Sequence, residues 1–197
     1  MKDKAEDQSN ILYQIFIKGQ EYKDVLDKKE LWKIIAEKLN GEFKIKQTIS
    51  RDISTLILKI PYKNQLVVLT ESDTRPLKSE INMDLKTKFE FGISWEGGVE
   101  RIMKIFGSQD IQIGIHEFDK KYLIQSNNTK QTITILRDLK DLILKLNIYI
   151  INLHYEKSGQ HKLLITKDRT SNTIDEIIGL LELNFRLIDF LLQNKHL

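Results

Sequence analysis

The stretch from Thr173 to Gln193, TIDEIIGLLELNFRLIDFLLQ, decides how the rest of the chain is read. Ile174, Ile177, Ile178, Leu181, Phe185, Ile188 and Leu192 recur at spacings of three and four, the apolar face of an α-helix. Leu180, Leu183, Leu187 and Leu191 lay a second stripe beside the first. Asp175, Gly179, Glu182, Arg186, Asp189 and Gln193 form a narrow strip for water. Thr173 as N-cap with Glu176 three residues on predicts a capping box. Asp175 and Glu176 place negative charge at the positive end of the helix dipole. Glu182 and Arg186 stand four apart in the favourable order for an ion pair. A helix this apolar must be shielded over most of its circumference, so the preceding chain has to supply a surface for it to lie on. The second stripe is wider than one sheet contact covers. It predicts a second helix as neighbour, either within the chain or in a second copy as a homodimer.

Working outward, the preceding residues alternate in the way strands do. Ile148 to Tyr155 and His161 to Thr166 predict a hairpin turned at Lys157-Ser158-Gly159. Before it, Asn128 or Thr129 opens a helix with Ile135, Leu136, Leu139, Leu142, Ile143 and Leu146 on its inner side. Towards the N-terminus, a helix near Asp27 carries Leu31, Ile34, Ile35 and Leu39 and closes at Asn40-Gly41. Strands are expected over 42–49 and 53–60, the second ended by Pro61, with another short strand over 66–70. Residues 71–80 read as a loop, 86–94 as a half-buried strand, and 99–106 as a short helix after Gly97-Gly98. Ile111, Ile113 and Ile115 alternate as a strand that turns at 116–119 and returns over 122–125.

A helix followed by an antiparallel hairpin therefore appears three times, and Lys-Leu-Asn recurs at residues 38–40 and 145–147. Hairpins alternating with helices argue for an α+β fold with antiparallel sheet backed by helices, not a doubly wound parallel one. The expected organisation is a disordered tail over 1–9 and one domain over 10–197, with a pseudo-repeat of 28–94 and 95–197. At 197 residues such a domain buries a core without covalent staples, and with no cysteine it has none.

The formal net charge is +3, from 31 basic and 28 acidic residues. That balance leaves no electrostatic footprint for nucleic acid. Met1 to Asn10 lacks the apolar core of a secretory signal, and the apolar runs are far short of a membrane span. The expectation is a soluble cytoplasmic protein without membrane contact or cofactor.

Candidate chemistry is sparse. His116, Glu117 and Asp119 share a turn and include imidazole and carboxylate donors for a divalent metal, but no distant third ligand accompanies them. His154 and His161 flank the last turn, and a two- or four-residue loop would set them on one face. Trp95-Glu96-Gly97-Gly98 precedes a helix, where free amides can hold an anion and glycines let a phosphate approach the backbone. The stretch is not a P-loop, and a strand-to-helix break needing glycine torsions accounts for it as well. Lys157, His161, Lys162, Lys167 and Arg169, with Tyr149 and Tyr155, outline a weak single-stranded nucleic-acid surface. No serine elbow or paired acids of defined spacing identify a reaction. The leading reading is a non-catalytic binding or assembly module, with Leu180, Leu183, Leu187 and Leu191 as its interface. The rival is a small-ligand protein or enzyme with a pocket between sheet and helix, near Trp95, His116, His154 or His161.

The passage from Gly107 through Phe118-Asp119 and Tyr122 to Ser126, and on into the following helix and hairpin, resembles the core of a bacterial domain family of unknown function. In that family a Phe-Asp pair introduces an extended strand, then a helix and two strands. Phe118, Asp119, Ile124 and Ser126 are the matching residues. Some members of the family carry membrane helices, and this chain departs from them by having none. The resemblance spans about the C-terminal half and implies an architecture, with no activity, ligand or site residue attached.

Overall fold

The computed structural model describes residues 25–48, 53–72, 74–95 and 110–193. Their elements run α1 (Val25–Lys38), β1 (Glu42–Thr48), β2 (Ile53–Tyr62), β3 (Gln65–Ser72), β4 (Arg75–Met83), β5 (Phe91–Trp95), α2 (His116–Lys121), β6 (Tyr122–Ser126), α3 (Thr129–Lys145), β7 (Ile148–Tyr155), β8 (His161–Lys167) and α4 (Ile174–Gln193). The eight strands form one sheet in the order β1-β2-β3-β4-β8-β7-β5-β6, and every neighbouring pair is antiparallel. This is the α+β class that the alternation of hairpins and helices predicts.

Strand periodicity of two sorts the side chains onto two faces. One face presents Leu58 opposite Leu69, Ser79 opposite Ile165, Leu163 opposite Leu153, and Ile93 opposite Ile124, all fully buried. All four described helices lie on this face. Trp32 of α1 packs on Phe43, Phe118 of α2 on Tyr122, and Phe185 of α4 stacks on Tyr62 with ring centroids 4.0 Å apart. Thr132 of α3 donates to the Ser126 hydroxyl at 2.7 Å. Helix α4 is also fastened by a buried polar contact, Ser79 Oγ donating to Asn184 Oδ1 at 2.9 Å. Near its start, Lys167 is only 2% exposed and pairs with Glu176 at 2.8 Å. Helix α1 is tied to β3 and to the segment before α4 by Glu71. That buried carboxylate meets Lys28 Nζ at 2.7 Å and accepts from both the amide and the hydroxyl of Ser171.

The recurrent Lys-Leu-Asn has a local meaning. Asn40 and Asn147 both adopt left-handed backbone, φ 52° and 50°, one residue beyond the helical geometry. The Asn40 amide reaches Glu37 O and the Gly41 amide reaches Ala36 O at 2.7 Å, a Schellman closure. Asn147 likewise donates to Leu144 O at 3.1 Å. One helix stop is used twice.

Several expectations are corrected. Residues 71–80 are not a loop, because β4 starts at Arg75 and alternates Leu77, Ser79, Ile81 and Met83 inward against Lys78, Glu80 and Asn82. Pro61 does not end β2. The β1 ladder reaches only Lys59, so among the described residues no strand on that side requires the missing N–H, and the strand runs on to Tyr62. The following two residues, Lys63 and Asn64, have φ of 47° and 63°, the geometry of a tight hairpin turn. Ile111 to Ile115 is not a strand. Asp119 bends it by accepting the amides of Ile113, Gly114 and Ile115 at 2.8–2.9 Å, and residues 116–121 are helical. Strand β5 begins at Phe91 instead of Lys86. Gly179 is buried, not solvated, because α4 meets the end of α3 there: a Cβ on Gly179 would stand 2.8 Å from Leu146 Cδ2. Glu176 accepts from the Asn172 amide at 2.9 Å, one residue ahead of the expected capping box, while also holding Lys167. The expected tail over 1–9 and helix over 99–106 lie outside the described residues.

Candidate functional site

The sheet face that carries no described helix is organised by charge. Cross-strand register places Glu42, Lys59, Val68, Glu80 and Leu164 in one row across β1, β2, β3, β4 and β8. Lys44, Ile57, Thr70, Lys78 and Thr166 form the next row. Each glutamate on this face is shared by two lysines. Glu42 lies 2.6 Å from Lys44 and 3.6 Å from Lys59, and Glu80 lies 2.8 Å from Lys78 and 3.6 Å from Lys162. The hydrogen bond from Lys44 holds Glu42 below the usual carboxylate range, and that from Lys78 does the same for Glu80. Both glutamates are thus anionic partners at neutral pH, and each triad keeps one positive charge in excess. With Lys46 the face from β1 to β8 carries five lysines against two glutamates. Ile57 and Val68 sit half-buried between the triads, and Leu66 beside them is 47% exposed.

At one end of the sheet is a cavity of about 370 Å³, between the β2–β3 turn (residues 63–65), the 84–87 segment and Leu191-Leu192 of α4. Its wall is of mixed sign, with Lys63, Lys86 and Asp84. Lys63 is already paired with Asp189 at 2.7 Å, and Asp189 also accepts the Tyr62 hydroxyl at 3.0 Å. Burial, then the charge of Asp189, pushes the Tyr62 phenol above its ordinary range.

The residues singled out from sequence do not converge. His116 is exposed at the start of α2, and the carboxylate of its neighbour Asp119 is taken up by three backbone amides. His154 and His161 point to opposite faces, because Tyr155 pairs with His161 across the five residues 156–160 and an odd loop offsets them by one. His154 is on the helix-free face, 3.6 Å from Glu156. His161 is inside, 1% exposed, edge-on to the Tyr155 ring at 5.1 Å, with neither ring nitrogen hydrogen-bonded. Its burial lowers its pKa, against the raising effect of Glu90 and Asp84, and His154 adds to the lowering. Trp95 is half-buried at the opposite end of β5, edge-on to Tyr149 at 5.6 Å, with Lys121 Nζ 4.9 Å from its centroid. Beside it the Tyr122 hydroxyl donates to Ile148 O at 2.8 Å, and burial pushes that phenol up to about 12. None of these four candidates lines the cavity. Among the described residues no three His, Cys, Asp or Glu side chains come together as metal ligands do.

Leu180, Leu183 and Leu187 are fully buried and Leu191 is 7% exposed within the single chain. The basic cluster of the last hairpin is divided, since His161 and Lys167 belong to the interior. Among the described residues no helix is long and apolar enough to cross a membrane. The Lys–Glu–Lys triads escape a sequence reading because their members are brought together by register across strands, and β4, which supplies two of the three members of the second triad, reads as a loop over 71–80.

No protein-family model and no curated protein matches the chain. Its fold is similar to the crystal structure of the mycobacterial trehalose monomycolate transport factor A, TtfA, with a TM-score of 0.51 at 12% identity, over 83% of this chain and 92% of that one. That likeness is one of fold.

Proposed function

We propose that this chain is a non-catalytic binding or assembly module that docks its partner on the helix-free face of the sheet. The observation that carries this reading is the one-sided layering. Every described helix is committed to the same face, and the other presents half-buried β-branched side chains framed by paired charges. The leucine stripes of α4 are consumed by the core, which leaves the sheet as the extended surface on offer. That a transport factor has a similar fold accords with a protein that holds a partner.

The test is a photo-crosslinking amino acid at Val68, in the middle of the face, compared with one at Lys33 on the exposed side of α1. Irradiation of cells producing the chain is expected to give protein adducts from position 68 and none from position 33. Adducts from position 33 alone, or from neither, overturn the reading.

A further inference from the structure

The charge arrangement on this face specifies the partner further, in an inference that rests on the docking reading above. We infer that the face takes an extended acidic segment of a protein partner, with acidic residues four apart and an apolar side chain midway between them.

The argument is one of spacing. Glu42 on β1 and Glu80 on β4 are the centres of the two triads, and they lie in one cross-strand row. Three inter-strand steps of about 4.8 Å separate them by about 14 Å, the length of four residues of extended chain at about 3.4 Å each. A segment lying across the strands with carboxylates at positions i and i+4 brings one to each triad, where a positive charge is in excess. The side chain at i+2 falls on the same side and meets Val68 and Ile57 between the triads. The apolar seat is only two strands wide, which suits one or two side chains and is too narrow for the stripe of an amphipathic helix. Nucleic acid and membrane fit less well. The outward positions from β1 to β8 hold no Phe, Tyr or Trp to stack on bases or to seat among lipid headgroups.

The experiment uses the full chain and fluorescence anisotropy with four labelled probes at low ionic strength. These are a peptide with the pattern Glu-x-Val-x-Glu, its Gln-x-Val-x-Gln counterpart, oligothymidylate, and vesicles containing phosphatidylglycerol. The acidic peptide is expected to bind saturably and the glutamine peptide not. Lys59→Gln/Lys162→Gln is expected to weaken the acidic peptide about tenfold, as the loss of two partly exposed charge contacts implies. Lys33→Gln/Lys38→Gln, on exposed positions of α1, leaves it unchanged. Equal binding of the two peptides overturns this inference alone and leaves docking on the face standing. Tighter binding of oligothymidylate or vesicles than of the acidic peptide overturns it too, as does binding that the Lys59/Lys162 change leaves intact. Absence of crosslinks from position 68 overturns the docking reading and this inference with it.

Discussion

Replacing Ser79 by Ala and Asn184 by Leu, singly and together, isolates the contact that seats α4 on the sheet. Both side chains are fully buried, and Ser79 Oγ donates to Asn184 Oδ1 at 2.9 Å. Asn184 Nδ2 in turn donates to Leu180 O at 2.6 Å, so its amide has no solvent to fall back on. Ser79→Ala strands a buried carbonyl oxygen, and Asn184→Leu strands a buried hydroxyl. Each costs about 1–3 kcal/mol, since an unpaired buried polar group forfeits its hydration with nothing in exchange. For a chain of this length each single change lowers Tm by roughly 2–12 °C. The double variant removes both polar groups and replaces them with apolar atoms of similar bulk. It is expected to lose no more than about 1 kcal/mol, well below the sum of the singles. Urea unfolding of the four proteins gives the coupling directly. A double variant that loses the full sum refutes the reasoning, because the two groups would then be acting on separate partners.

Two other changes follow the same logic. Asp119→Ala releases the three amides of Ile113, Gly114 and Ile115, and, with Gly114 open to water, is expected to cost about 2 kcal/mol in urea unfolding. A loss within experimental error would show that the bend holds without the carboxylate. His161 makes stability depend on pH. Its folded-state pKa lies below 6.5, so the unfolded chain binds the proton more readily. Stability is full above 6.5 and falls as pH drops through the folded-state value. Melts of the parent and His161→Phe between pH 7 and 5 are expected to diverge, the parent falling faster, and parallel curves contradict the assignment.

The last helix was legible because its pattern is local: two leucine-rich stripes on a 3.6-residue period leave no alternative. The same holds for α1 and α3, where Asn40 and Asn147 mark the stops. What misled the reading was chemistry set by distant neighbours. Pro61 normally ends a strand, and only the short reach of β1 makes it harmless. Pro76 made β4 look like a loop, although Leu77, Ile81 and Met83 alternate as a strand should. Ile111, Ile113 and Ile115 alternate too, yet only the Ile111 amide reaches β6, at Ile124 O, while Asp119 captures those of Ile113 and Ile115 and stops a ladder from forming. The two histidines were misplaced by the count of residues in one turn, which a sequence leaves open. The charged triads need the order of β1, β2, β4 and β8, and no local pattern carries that order.

The seam between β4 and β8 has a consequence for how the chain is made. Strands β1 to β4 are consecutive, yet the fourth finds its second neighbour only in β8. The helix that roofs it arrives later still, with Ser79 and Asn184 separated by 105 residues. On the ribosome α1 is already made and covers β1, but β4 emerges with its greasy side bare and waits for the far end of synthesis to be clothed. Contacts so remote in sequence close slowly and leave the nascent half open to misassociation. A premature stop anywhere before α4 therefore yields a sticky fragment, not a smaller working protein.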